Sequence, residues 1–456
     1  MFSKILIANR GEIALRIIRA ARELSIPTVA IYSEADRNSL HVRFADEAVC
    51  IGPAMARDSY LNIPHVISAA EITDADAIHP GYGFLAENIS FATAVEAHGM
   101  TFIGPEPRHL AIFGDKLSAK AAARAAGVPL LPGSPGSLSD VEEAVRFANE
   151  IGYPVLLKAA FGGGGKGMRI VDDPESLRKV FELTQAEAEA AFGNGAVFVE
   201  RFLPAPRHIE IQVAGDQYGN AVHFGERDCS LQRRHQKIIE EAPASGLSDV
   251  LRDQIRKAAV DLVASTQYVS VGTCEFLVQG DEFFFLEVNP RIQVEHPVTE
   301  QVTGVDLINL QIRLAAGERM PMTQDEITLT GHSIEVRVNA ENPWNFRPSP
   351  GRIVGYNAPG GPGVRIDSAV HEGAMVQPFY DSLIAKLIVT APDRSAAIRR
   401  AIRAIDEFVV EGIETSLPLQ RILLNTPEFR DGRFHTRFID TWLKARAEAA
   451  EGEDAQ

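Results

Sequence analysis

Cysteine is scarce in this 456-residue sequence. Cys50, Cys229 and Cys274 lie far apart, with no C-x-x-C pair and no even number to match up, which argues against a disulfide framework and leaves reduced thiols. Long apolar runs are also missing. Nowhere do about 18 apolar residues follow one another, so no membrane-spanning helix is expected. The opening run Lys4-Ile5-Leu6-Ile7-Ala8 is cut by Asn9-Arg10-Gly11-Glu12, too soon for a signal peptide. An excess of basic charge is lacking: 45 Lys+Arg stand against 61 Asp+Glu, a net charge of −16. A protein that grips a phosphate backbone needs a basic face to release counterions, so nucleic acid is excluded as a partner, whereas local basic clusters can still hold small anions. There is no internal repeat and no heptad pattern. These absences describe a soluble, cytoplasmic chain without nucleic-acid or membrane partners, long enough at roughly 150 residues per domain for two or three domains.

What is present reads first as a βαβ unit over residues 4 to 32. The apolar run is followed by Ile13, Ile17, Ala20, Ala21 and Leu24 at helical spacing, then by Thr28-Val29-Ala30-Ile31-Tyr32 after Pro27. Its loop lacks the G-x-G-x-x-G fingerprint, which favours a structural α/β domain over dinucleotide binding. His79-Pro80-Gly81-Tyr82-Gly83-Phe84 is a turn-rich loop. A helix over 116 to 126 and a Pro/Gly/Ser segment over 129 to 139 mark a hinge. Then come a helix over 141 to 151, strands over 155 to 159 and 168 to 171, a long helix and a strand over 197 to 200. Pro204 and Pro206 close this small unit. Further on, a Pro/Gly-rich stretch over 348 to 363 suggests hairpins, and an amphipathic helix is expected near 396 to 408.

Two segments point to chemistry. Phe161-Gly162-Gly163-Gly164-Gly165-Lys166-Gly167-Met168 joins two short strands, which excludes a Walker-type loop capping a helix. Its glycines let backbone N–H groups converge on phosphate oxygens, while Lys158 and Lys166 add charge. The plain alternative is a flexible linker, which the flanking apolar strands and lysines disfavour. Thr273-Cys274-Glu275-Phe276-Leu277-Val278 and Phe283-Phe284-Phe285-Leu286-Glu287-Val288-Asn289 form a hairpin. Carboxylates in so apolar a setting need a cation or hydrogen bonds to stay ionised. With a three-residue loop, 280 to 282, Glu275 faces Glu287 and Asn289 follows on the same face. A slip of one residue would separate the carboxylates onto opposite faces. Two carboxylates and an amide suit Mg²⁺ bridging phosphates, and buried ion pairs, with Arg291 close by, are the alternative. The basic run Arg233-Arg234-His235-Gln236-Lys237 reads equally well as a solvated loop or as part of a site. In Ser333-Ile334-Glu335-Val336-Arg337-Val338-Asn339 the alternation sets Arg337 on the face opposite the aliphatic residues.

Together the glycine hairpin, the carboxylate hairpin and Glu287-Val288-Asn289-Pro290-Arg291 resemble the ATP-grasp superfamily. The finer resemblance is to the biotin carboxylase family. It rests on Ile7-Ala8-Asn9-Arg10-Gly11-Glu12-Ile13-Ala14, the loop from His79 onward through Leu85-Ala86-Glu87-Asn88, Arg227-Asp228-Cys229-Ser230-Leu231-Gln232 with the basic run, and Asn289-Pro290-Arg291-Ile292-Gln293-Val294-Glu295-His296. It spans residues 1 to 446. The implied fold is α/β: an N-terminal Rossmann-like parallel-sheet domain (1 to 114), a hinge and mobile glycine-loop lid (115 to 203), an ATP-grasp core (204 to 330) and a mixed α/β C-terminal region (331 to 446). The acidic segment 447 to 456 reads as a disordered tail.

The resemblance implies that ATP phosphorylates bicarbonate to carboxyphosphate and that the carboxyl group then passes to biotin. Lys116, Lys158, Gly164, Gly165, His208 and His235 are then expected to contact phosphates or ribose, with Gln232 nearby. Glu200, Arg201, Phe202 and Leu203 would form the adenine hinge, and Glu275, Glu287 and Asn289 would hold Mg²⁺ or Mn²⁺. Lys237, Arg291, Gln293 and the backbone at Val294 would bind bicarbonate, with Glu295 as base, and Arg337 would stabilise the enolate-like oxygen of biotin. Lys166 stands where many relatives have Arg, and Phe161 replaces a further glycine seen in some, without removing a ligand. No methionine precedes a lysine, so no biotin is expected on this chain. Expected partners are a biotin carboxyl carrier protein, carboxyltransferase subunits and a second copy in a homodimer. Acetyl-CoA, propionyl-CoA and pyruvate carboxylases share such units, so the acyl acceptor stays open. The rivals are another ATP-grasp ligase, such as a carbamoyl phosphate synthetase half, and a nucleotide-sensing scaffold, which the complete set of charged positions disfavours.

Overall fold

The structure is a computed structural model, and it describes residues 1–134, 136–159, 168–192 and 195–454. Phe161, the glycines including Gly164 and Gly165, and Lys166 fall outside these residues. The first 110 residues build a five-stranded parallel sheet in the order Glu47–Cys50, Thr28–Tyr32, Ile5–Ile7, Ala77–His79, Thr101–Phe102. Ile5, Leu6 and Ile7 are wholly buried, as expected of a strand covered on both faces. Helix Gly11–Glu23 packs Ile13, Ile17, Ala20 and Ala21 inward. Two of the sequence motifs meet here. Asn9 Nδ2 donates to the carbonyls of Pro80 and Tyr82, both at 2.7 Å. Gly81 sits at φ +64° so close to this contact that a Cβ would stand 3.0 Å from Asn9 Nδ2 and 3.1 Å from Ile13.

Residues 141 to 201 form a separate small layer: strands Met168–Val171, Val155–Ala159 and Val197–Arg201, antiparallel in that order, under helices Val141–Ile151 and Pro174–Phe192. It has its own core, in which Val145, Leu157, Phe181 and Val199 are packed together. Asp140 caps the first helix by accepting from Glu143 N at 3.0 Å. In the segment that leads into the layer, the Pro129 carbonyl accepts from Phe285 N at 2.8 Å.

The largest element is an eight-stranded antiparallel sheet: Glu282–Asn289, Ser270–Gln279, Arg207–Gly215, Ala221–Arg233, Gln236–Ala242, His332–Asn339, Leu383–Ala391, Val364–Ser368. It runs without a break across residue 331, because Ile239 pairs with Val336 and Glu240 with Glu335. Helix Phe438–Asp454 runs into the acidic segment, whose alanines and glutamates are strong helix formers. Among the described residues no helix is long and apolar enough to cross a membrane.

Candidate active site

Glu275 and Glu287 do stand opposite each other, but not through the loop that the sequence suggested. The turn holds two residues, Gly280 at φ +60° and Asp281, because Gln279 pairs with Glu282. Continued without interruption, that register would set Glu275 against Leu286 and turn the carboxylates to opposite faces. A β-bulge intervenes. Phe276 pairs with Phe285 and the next pair is Glu275 with Glu287, so Leu286 is the extra residue. Phe276 and Phe285 thereby point into the apolar core while both glutamates point to the site.

Glu275 is the hub. Its Oε1 accepts from Asn289 Nδ2 at 2.8 Å, Gln293 Nε2 at 2.8 Å and Lys237 Nζ at 3.1 Å, and His208 Nε2 lies 3.2 Å from Oε2. Burial alone would push its pKa up, but Lys237 and His208 outweigh burial and hold the carboxyl well below the usual carboxylate range. Lys237 also donates to Glu210 and, at 2.6 Å, to Glu295 Oε1. Burial opposes its charge, yet these three carboxylates keep the ammonium ionised, with its pKa raised well above the ordinary lysine value. Glu295 Oε2 accepts from Arg337 Nη2 at 2.8 Å. Against burial, Lys237 and Arg337 lower the pKa of Glu295, leaving an ionised carboxylate at the N-terminus of helix His296–Thr303. His208, between Glu210 and Glu275, is raised to about 9: burial lowers it, and the two carboxylates prevail.

The basic run divides. Arg234 and His235, at φ +50° and +68°, form a two-residue hairpin turn, a left-handed pair that costs non-glycine residues about 1–2 kcal/mol each. Both are exposed, and Arg233 lies 3.9 Å over the Phe346 ring. Lys237 and Gln232 face each other across the ladder and turn inward, Gln232 being buried. Toward the small layer, Glu200 accepts from Lys158 and, at 2.8 Å, from Lys120. Arg201 pairs with Glu282 at 3.1 Å, Phe202 N donates to the Pro154 carbonyl at 3.1 Å, and Leu203 is buried. Lys116 is exposed at the start of helix Lys116–Ala125. Arg291 Nη2 donates to Asn289 Oδ1 at 2.8 Å, its Nε lies 3.3 Å from Glu87, and the Val294 carbonyl accepts from buried Lys386 at 2.9 Å.

The donor set fits a hard divalent cation. Among the described residues Glu287 accepts no hydrogen bond and pairs with no cation, and burial together with the facing Glu275 pushes its pKa up. A cation between the two would relieve that repulsion. Asn289 gives its nitrogen to Glu275, and its oxygen accepts from Arg291 with one lone pair and keeps the second for a cation. The sequence reading missed Glu210, Glu240, Lys120 and Arg227. Arg227 is wholly buried and donates to Glu210, Gln212, Thr273, Thr299 and Gln293. A signal for Glu210 was present: His208, Glu210 and Gln212 alternate with Ile209, Ile211 and Val213 in strand Arg207–Gly215.

Comparison with known proteins matches residues 1–110 to the biotin carboxylase N-terminal domain, 115–323 to the ATP-binding domain of the carbamoyl-phosphate synthase L chain, and 335–441 to the biotin carboxylase C-terminal domain. The chain is 53% identical over 445 residues to a biotin carboxylase of Nostoc, covering 97% of this chain and all of that one. A crystal structure of a biotin carboxylase–beta-gamma-ATP complex from Campylobacter jejuni superposes with a TM-score of 0.91 at 45% identity, covering 97% and 99% of the two chains. The biotin carboxylase domain dimer of a Hydrogenobacter thermophilus 2-oxoglutarate carboxylase, in complex with MgADP and bicarbonate, gives 0.89 at 49% identity, covering 97% and 98%. The middle segment matches a model named for a rival ligase, the flanking segments match biotin carboxylase domains and the likeness to biotin carboxylases runs the length of the chain, so this chain, with its ATP-grasp fold, belongs to the biotin carboxylase family.

Proposed function

We propose that this site carries out the first half of biotin-dependent carboxylation, with biotin presented on a separate carrier protein. The observation that supports it is the unbroken line of charge from Glu287 and Glu275 through Lys237 to Glu295 and Arg337. It offers a cation site, an anion-binding ammonium, a base and a guanidinium in order. In this reading Lys116, Lys158, His208, Gln232, His235 and the glycine-loop amides at Gly164 and Gly165 grip phosphates or ribose, and Glu200, Arg201, Phe202 and Leu203 bracket the adenine. Arg291 presents a planar fork to the planar bicarbonate anion, joined by Lys237, Gln293 and the Val294 backbone. Glu295 takes the bicarbonate proton as bicarbonate oxygen attacks the γ-phosphorus and ADP leaves. Carboxyphosphate then splits into CO₂ and phosphate, phosphate removes the N1′ proton of biotin, and N1′ attacks CO₂. Arg337 holds the ureido oxygen while negative charge develops on it. Mg²⁺ or Mn²⁺, held by Glu275, Glu287 and Asn289, supplies charge neutralisation at the phosphates.

The partners in this reading are a biotin carboxyl carrier protein, carboxyltransferase subunits and a second copy of the chain, in the cytoplasm. The dimeric Hydrogenobacter domain supports the second copy. ADP release is the test, with ATP, bicarbonate, Mg²⁺ and free biotin supplied and each omitted in turn. Biotin should raise a bicarbonate-dependent rate with no need of ammonia. A rate that requires ammonia and ignores biotin would assign the site to the carbamoyl-phosphate class instead.

A further inference from the structure

Behind Arg337 two glutamates occupy one sheet face where a single charge would serve. Glu240 and Glu335 are directly opposed on strands Gln236–Ala242 and His332–Asn339, and both are completely buried. Glu240 Oε1 accepts from Arg337 Nε at 2.5 Å. Its Oε2 and both oxygens of Glu335 have no hydrogen-bond partner. Two ionised carboxylates cannot face each other in so dry a place, and the one without a bond takes a proton in preference to the one that holds the guanidinium. Glu335 is therefore the neutral member and Glu240 the charged one. Arg337 is thus held at two points, Nε by Glu240 and Nη2 by Glu295, and Nη1 makes no hydrogen bond among the described residues.

Resting on the reading of Arg337 as the biotin-facing cation, we propose that Glu240 is a positioning residue of the biotin half-reaction, fixing the guanidinium so that Nη1 is presented to the ureido oxygen. Glu240 touches no substrate in this assignment and acts through Arg337. It is faced by Arg337 and Glu335 from the neighbouring strand, Lys237 from its own, Cys229 from strand Ala221–Arg233 and Glu295 from the helix start, while Lys386 from strand Leu383–Ala391 and Tyr82 from the N-terminal loop act on its neighbour Glu335. Burial first, and then Glu295 among these groups, push Glu240 up to about 7 against the pull of Arg337 and Lys237. A carboxyl so raised is ionised only above that pH, so the hold on Arg337 weakens as pH falls through about 7.

The test compares biotin carboxylation with bicarbonate-dependent ATP hydrolysis in wild type, Glu240→Gln, Glu335→Gln and Arg337→Ala, across pH. Glu240→Gln should lower the ratio of the two rates about tenfold, the loss expected for a bond to a charged group, and should flatten the acid limb of that ratio. Glu335→Gln, which mimics a protonated acid, should keep the ratio within about twofold of wild type. Equal losses in Glu240→Gln and Glu335→Gln, or a Glu240→Gln ratio like wild type beside a depressed Arg337→Ala ratio, would overturn the role given to Glu240. An Arg337→Ala ratio like wild type would instead overturn the reading of Arg337. Thermal melts check folding. If Glu240→Gln does not fold, the wild-type ratio decides, since a ratio flat between pH 6 and 8 (about one unit either side of the Glu240 midpoint) contradicts the assignment.

Discussion

Replacing Lys237 with Met tests the electrostatic logic of the site most directly. Its ammonium touches Glu210, Glu275 and Glu295 at once, so the change leaves three buried carboxylates without their shared cation. Breaking a buried ion pair from one side costs about 3–5 kcal/mol, and the protein should melt earlier. The sharper consequence concerns Glu295. Its folded pKa is depressed, so its charged form is present above that pKa and lost as pH falls through it. Lys237 lies 2.6 Å away, and at an effective dielectric of about 20 two unit charges at that separation interact by roughly 6 kcal/mol. If about a quarter of that survives relaxation, Glu295 titrates about one pH unit higher in the variant. Bicarbonate-dependent ADP release by Lys237→Met should therefore fall at a pH about one unit more alkaline than in wild type, besides being slower throughout. A variant whose plateau drops while its acid limb stays at the wild-type pH would refute the claim that Lys237 keeps the base ionised.

Glu287→Gln should keep wild-type melting and lose about a hundredfold in turnover at limiting Mg²⁺; near-normal turnover there contradicts the metal assignment. Arg227→Met should destabilise by about 3–5 kcal/mol in denaturant titration, because Glu210 loses its guanidinium and Gln293 its anchor; a loss under about 1 kcal/mol would show that neither depends on it. Arg337→Ala should impair biotin carboxylation at least about tenfold more than bicarbonate-dependent ATP hydrolysis; equal losses would remove its special place in the second step.

The sequence was most legible where periodicity and turn chemistry act locally. The helix over 141 to 151 and the strands over 155 to 159 and 168 to 171 fall where the apolar spacing puts them. The facing of Glu275 and Glu287 was reached by a different route from the one expected, because a two-residue turn plus a bulge at Leu286 adds up to the same pairing as a three-residue loop. Ideal alternation does not anticipate this, since the bulge shifts the phase of the strand beyond Leu286 by one residue and so restores the facing that the shorter turn would lose. Arg227 and Glu240 were not legible as site residues. Partners of each lie far off in the chain, Gln293 being 66 residues from Arg227 and Arg337 97 residues from Glu240.

The sheet that runs unbroken across residue 331 has a consequence for the life of a fragile intermediate. Lys237 and Arg337 lie on strands joined by the Ile239–Val336 pair, and they grip the two oxygens of one carboxylate, Glu295. On the proposed reading, the groups assigned to the two half-reactions therefore stand on neighbouring strands, whose backbones lie about 4.8 Å apart and are held there by hydrogen bonds. The three strands of the small layer belong to another sheet, so on that reading a movement of the layer would leave the spacing of these two strands unchanged.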